Sequence, residues 1–249
     1  AAGQWLLRFI DPLLLSPFAL AAISASLSVL PLALTRVPLP QTGTASHIGL
    51  LTLARLTPAA VGSCVASGLV LGGVYGLLPL FFAASGRDLG AVANLMALVI
   101  LGGMLLQYPL GRLSDRFDRR RILAGLGLGL LLLSIVMLIA SQLPWSWLRA
   151  GTIFLFGGLA FSLYPISLSQ ACDELTPEQM VSANQGMLLA YSLGSMTGPL
   201  LASQAMQRTG PAALFAYFAL CGSLLTLYLF WRQRQRSPVP ADAQQSYAP

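Results

Sequence analysis

Residues 59–84 read AAVGSCVASGLVLGGVYGLLPLFFAA, and after Ser85-Gly86-Arg87-Asp88 residues 89–110 read LGAVANLMALVILGGMLLQYPL. Neither run holds an Asp, Glu, Lys or Arg. A helix crossing about 30 Å of hydrocarbon needs roughly 20 mostly apolar residues, and each run is that long. Further blocks of the same kind occur on both sides, at Leu13–Leu34, Ile122–Ala140, Ala150–Leu168, Ala183–Ala205 and Ala212–Trp231. In lipid every backbone N–H and C=O must find a partner within the protein, so blocks this long are helices. The alternating ten-residue segments of a transmembrane barrel are absent from the sequence. Composition agrees: 56% of the 249 residues are hydrophobic and 9% charged, against about 25% charged in ordinary soluble domains. The expected fold is all-α, a polytopic transmembrane helical bundle.

All fourteen basic residues are arginine. Arg36, Arg55, Arg112, Arg116, Arg119, Arg120, Arg121, Arg232, Arg234 and Arg236 fall in one set of inter-block segments. Arg8, Arg87, Arg149 and Arg208 fall in the other. The bias places the first set in the cytoplasm, with the N-terminus outside and the C-terminus inside. Because the arginines flank the blocks, the basic balance reflects topology and not nucleic-acid binding. The short outside segments, such as Ser85–Asp88, predict antiparallel neighbouring helices. The segment 35–58 is a cytoplasmic linker in which Ile48, Leu51, Leu53 and Leu56 could share one face of a short interfacial helix; an unstructured linker fits equally well. The tail from Ser237, rich in Pro, Ala and Gln, is expected to be disordered.

The most informative polar stretch is Gly111-Arg112-Leu113-Ser114-Asp115-Arg116-Phe117-Asp118-Arg119-Arg120-Arg121, between two blocks on the inside. Gly111 would let the backbone turn sharply. Asp115 could accept hydrogen bonds at a helix N-terminus, where the dipole favours an anion. The arginines could pair with Asp115 or Asp118, or meet anionic headgroups.

This frame resembles the signature loop of the major facilitator superfamily, Gly-x-x-x-Asp-Arg-x-Gly-Arg-Arg, through Gly111, Asp115, Arg116, Arg119 and Arg120. Asp118 stands where the signature has Gly. Residues 107–111 and 182–199 are similar to the YcaD-like branch of bacterial permeases. The resemblance implies a secondary transporter whose loop joins the second and third helices of a six-helix half. Residues 59–231 then form one such half. Residues 1–34 form an outside segment and the last helix of a truncated preceding half, and residues 232–249 a cytoplasmic tail. The chain begins Ala1-Ala2-Gly3 without Met, as expected of a fragment or a processed chain. The resemblance places the loop's partner on the other half, so Asp115 is expected to lack its usual contact. The missing N-terminal helices of the same transporter are the expected protein partner, alongside the lipid bilayer and a small solute. A homodimeric half-transporter and a non-transporting scaffold are the alternatives.

Gly194-x-x-x-Gly198-Pro199 spaces two small residues for close helix packing. It is similar to the family's fifth-helix Gly-Pro motif, often linked with antiport. Polar residues inside spans are costly and often face a cavity. The resemblance assigns the pathway to the first, second, fourth and fifth helices of a half, which selects Tyr75, Asn94, Tyr164, Gln185 and Tyr191. Interhelical hydrogen bonding is the plainer role for each. No block carries an ionisable carboxylate or arginine, so a coupling residue would belong to the missing part. An enzyme is not expected: His47 is the one histidine, and no phosphate loop or nucleophile-base set occurs. Cys64, Cys172 and Cys221 lack metal-ligand spacing. Neither metal nor cofactor is expected.

Overall fold

The computed structural model describes residues 15–34, 49–140 and 146–234. Among these it contains eight α-helices and no strand. They are α1 (Ser16–Leu34), α2 (Leu50–Leu56), α3 (Pro58–Ala84), α4 (Leu89–Arg116), α5 (Arg119–Ala140), α6 (Ser146–Cys172), α7 (Met180–Thr209) and α8 (Ala213–Gln233). A 3₁₀ turn, Pro177–Gln179, precedes α7. The predicted tail from Ser237, His47 and most of the 35–58 linker lie outside the described residues.

A helix occupies each of the seven apolar blocks. By length and composition alone, α3, α4, α5, α6 (from Trp147) and α8 can cross a membrane. The first helix contributes a shorter apolar stretch, Phe18–Pro31. Helix α7 has 30 residues, long enough, but Asn184, Gln185, Ser192, Ser195 and its glycines dilute its apolar character. Five of the seven expected spans meet that measure among the described residues, and α1 and α7 do not.

Of the consecutive helices, α3 with α4 and α4 with α5 touch little, whereas α5 and α6 pack together. The closely packed pairs are α3 with α7, α4 with α6 and α5 with α8, while α6 also lies against α3 and α5. So the very short α3–α4 link does not make those two helices the tightest neighbours. Glycine decides the pairing instead. A Cβ placed on Gly194 would lie 3.0 Å from the Leu69 nitrogen, and one on Gly72 2.5 Å from the Ser195 carbonyl oxygen. Gly222 and Gly127 oppose each other in the α5–α8 pair, and a Cβ on either would meet the other's backbone oxygen, at 2.6 and 3.1 Å. Gly102 and Gly157 play the same part between α4 and α6. Small residues let backbones approach, and in lipid that dispersion contact drives association because lipid is as apolar as the core.

The main core lies where these pairs meet. Phe81 and Phe215 pack edge to face at 4.8 Å, and Phe156 lies 5.1 Å from Phe218. Several buried hydroxyls bond to their own helix: Ser134 donates to the Leu130 carbonyl at 2.6 Å and Ser162 to that of Gly158 at 2.7 Å. Two tyrosines bridge helices, Tyr217 to the Leu69 carbonyl (3.1 Å) and Tyr228 to the Pro58 carbonyl (2.8 Å).

Helix α2 is present where an interfacial helix was one of two expectations, but its leucines do not share a face. Leu53 is fully buried and packs with Ala60, Cys64 and Met187, whereas Leu51 is 79% exposed. The helix docks on α3 and α7. At the far end of α7, Gly210 takes φ +98° before Pro211, a left-handed stop that side-chain-bearing residues rarely adopt.

Candidate functional site

The signature stretch is not a loop. Helix α4 runs on through Arg116, only Phe117 and Asp118 lie between, and α5 starts at Arg119. Gly111 is therefore buried and helical, and the turn it was expected to make falls six residues later. Asp118 caps α5: the Arg120 N–H donates to its Oδ1 at 3.0 Å, and its carbonyl accepts from the N–H groups of Arg121 and Ile122. The capping role expected of Asp115 thus belongs to Asp118. Among the described residues no non-glycine residue has positive φ, so a glycine at 118 would bring no needed conformation, whereas Asp brings the cap. Asp118→Ala should cost about 0.5–2 kcal/mol, and Asp118→Gly only a few tenths; thermal unfolding of the two variants checks the order.

The adjacent arginines turn inward. Arg119 is 1% exposed. Its Nη1 donates to the Ser169 carbonyl at 2.9 Å and to Asp173 Oδ1 at 2.7 Å, and its Nη2 to Asp115 Oδ1 at 3.0 Å. Arg120 pairs closely with Glu174, which also accepts from Gln170 Nε2 at 3.0 Å. The pairing has an electrostatic logic. Arginines at a helix N-terminus and acids at a helix C-terminus each oppose their own helix dipole. Placing the start of α5 against the end of α6 lets the two misplaced charge sets neutralise each other. Asp115 has a partner within this bundle, Arg119; the expected contact with a preceding half lies beyond the described residues. Arg112 and Arg116 stay exposed, Arg112 lying 5.5 Å from the Tyr108 ring centre. Arg121 is 73% exposed and 3.9 Å from Asp118.

Along the flank of the bundle lies a cleft of about 360 Å³. Its polar lining is Tyr75 from α3, Gln107 from α4, Tyr164 from α6 and Tyr191 from α7, set against Phe161 and Leu188. Tyr164 and Tyr191 meet edge to face at 5.2 Å, and Tyr75 and Phe161 at 5.9 Å. Three of the five expected pathway residues thus share one space. Asn94 lies elsewhere, in a second cleft with Arg87 and Arg149. Gln185 is exposed and lines neither. No carboxylate or arginine lines the tyrosine cleft among the described residues. It offers hydroxyls, an amide and ring faces.

The family model described as Major Facilitator Superfamily matches residues 1–190. The chain belongs to the major facilitator superfamily. It is 34% identical to the "Uncharacterized MFS-type transporter YcaD" of Salmonella heidelberg (strain SL476) over 214 residues, 85% of this chain and 54% of that protein. It is 30% identical to the "Uncharacterized MFS-type transporter" of Yersinia enterocolitica over 243 residues, 97% of this chain and 62% of that protein. The chain spans about half the length of the curated relatives it matches. No solved structure matches it. This superfamily member is thus a multi-pass membrane protein. The signature stretch lies inside the matched residues, whereas Gly194, Gly198 and Pro199 lie beyond them. Those three stand on geometry, since both glycines press on the backbone of α3.

Sequence reasoning missed Asp173 and Glu174 as the partners of Arg119 and Arg120. The available signal was two adjacent acids on the same predicted side as two adjacent arginines, each pair 54 positions apart.

Proposed function

We propose that this chain forms part of a secondary active transporter that carries a small solute across the bacterial inner membrane by alternating access. Residues 59–231 act as one six-helix half, the helix at 16–34 belongs to the preceding half, and 35–58 is the cytoplasmic connection. The signature hinge faces the cytoplasm, as the arginine bias requires. The observation that carries the reading is the tyrosine cleft, built by the first, second, fourth and fifth helices of the six in a chain of this superfamily. Its uncharged lining favours a neutral solute with hydrogen-bonding groups and a flat or apolar body, held by tyrosine hydroxyls and ring faces. Rocking of two halves around such a site needs both, and the twofold length of the relatives supports a second half upstream.

The test is counterflow in proteoliposomes, using a panel of small neutral polar solutes and the chain extended upstream to the relatives' length. Active flux is expected from the long chain and little from residues 1–249 alone; robust flux by the short chain would remove the two-half reading. Changing Tyr75, Tyr164 and Tyr191 together to Phe should lower flux about tenfold or more, at about 0.5–1.5 kcal/mol per lost hydrogen bond. Unchanged flux in that variant would place the pathway elsewhere.

A further inference from the structure

At the opposite end of the bundle from the signature hinge, α3, α4, α5 and α6 leave a second cleft of about 320 Å³. Around it α6 packs on α3, α4 and α5, while α3 and α4 touch each other little. Three separate segments aim polar groups into it. Arg87 and Ser85 come from the link after α3, Asn94 from the second turn of α4, and Arg149 from the first turn of α6. Beneath them lie apolar side chains that include Phe82 and Ile153. No carboxylate lines the cleft among the described residues.

The contrast with the hinge is informative. There two arginines meet three carboxylates at hydrogen-bonding distance. Here two arginines share a cleft, and no carboxylate among the described residues lies within ion-pair distance of either. Arg149 also sits at a helix N-terminus, where the dipole already presents positive charge. Two like charges in a partly enclosed space repel, and a bound anion would relieve both that repulsion and the unfavourable dipole contact. Guanidinium forks suit a phosphate or carboxylate head, which they can grip bidentately.

We propose that this cleft binds an amphiphilic anion, with its phosphate or carboxylate head between Arg87 and Arg149 and its apolar body over Phe82 and Ile153. Such an anion could be an acidic phospholipid of the surrounding bilayer or an amphiphile arriving from solution; the recognising chemistry is the same. It is distinct from the tyrosine cleft, which carries no such charge.

Two measurements on the full chain test this. In the first, octyl phosphate is titrated calorimetrically into phospholipid-free protein in a neutral maltoside detergent. In the second, native mass spectrometry follows lipid retained from nanodiscs of phosphatidylglycerol and phosphatidylcholine. Saturable octyl phosphate binding at one per chain supports the site and a soluble source. Retention of phosphatidylglycerol over phosphatidylcholine without octyl phosphate binding supports the site and a bilayer source. In either arm Arg87→Gln with Arg149→Gln should weaken binding about tenfold or more, given the strength of charged hydrogen bonds. Arg121→Gln with Arg232→Gln, which removes the same net charge elsewhere, should leave it unchanged. No octyl phosphate binding together with equal retention of the two lipids, or equal binding by the Arg87/Arg149 variant, overturns the proposal.

Discussion

Arg119→Met should destabilise the bundle by about 3–5 kcal/mol, the usual cost of removing one partner from a buried ion pair. Its guanidinium holds Asp115 and Asp173 and also satisfies the Ser169 carbonyl. With the cation gone, Asp173 would remain as a 2% exposed carboxylate without its charge partner. Asp115, at 28% exposure, would suffer less because water can reach it. Arg119→Lys should fall between, since a single ammonium cannot reproduce a planar fork that reaches three acceptors. Adding Asp173→Leu to Arg119→Met should recover much of the loss, because the stranded charge is then gone. Arg121→Met, at a 73% exposed position, should stay within about 0.5 kcal/mol. A maleimide dye that reacts as Cys64 and Cys221, both buried, become exposed on heating reads each midpoint. A wild-type midpoint for Arg119→Met would show that the buried network contributes nothing to stability.

This network also shows which parts of the structure could be read from residues alone. Helices at the apolar blocks follow from backbone hydrogen bonding in lipid, a local requirement that any 20-residue window reveals. The signature stretch was legible as a pattern, but not its geometry. Gly111 and Asp115 looked like turn and cap residues because an apolar count ends at Leu110, where the apolar run stops. The α-helix continues to Arg116 because the following residues, Arg112 and Leu113 among them, are good helix formers and nothing there breaks the ladder. Phe117 then closes one helix in extended conformation and Asp118 caps the start of the next. The partners Asp173 and Glu174 were invisible for a different reason. Charges near helix ends carry no distance information, and only the α5–α6 packing brings them to Arg119 and Arg120. The tyrosine cleft was partly legible because polar residues within apolar blocks are few. Asn94 and Gln185 could not be separated from Tyr75, Tyr164 and Tyr191 without knowing the rotation of each helix.

Helix rotation is itself set by glycine, and Gly68→Leu should therefore have a second large effect, at or above the top of the ~1–3 kcal/mol range for overpacked cores. A side chain at Gly68 would run into the Tyr191 carbonyl and lie 2.8 Å from the Ser195 nitrogen even as a bare Cβ. Those are backbone atoms of α7, so no rotamer change relieves the clash; the helix must move as a body. Gly194→Ala should act in the same way from the other side, since its Cβ would lie 3.1 Å from the Gly68 Cα. Once either change has pushed α3 and α7 apart, the second meets less resistance, so the double alanine variant should cost less than the sum of the singles. Gly76→Ala is the contrasting case. Its Cβ would meet only Pro199 side-chain atoms at 3.5 Å, an ordinary contact, and the gain in helix propensity should keep it within about 0.5 kcal/mol of wild type or slightly above. The displacement also has a functional reading, because α3 supplies Tyr75 and α7 supplies Tyr191 to the cleft. Under the proposed function, Gly68→Ala and Gly194→Ala should lower counterflow by the upstream-extended chain while Gly76→Ala preserves it. Unfolding midpoints by circular dichroism, measured on the same variants, separate loss of the site's shape from loss of the fold. If Gly76→Ala proved as damaging as Gly68→Ala, close approach of α3 and α7 at Gly68 and Gly194 would not be what these glycines provide.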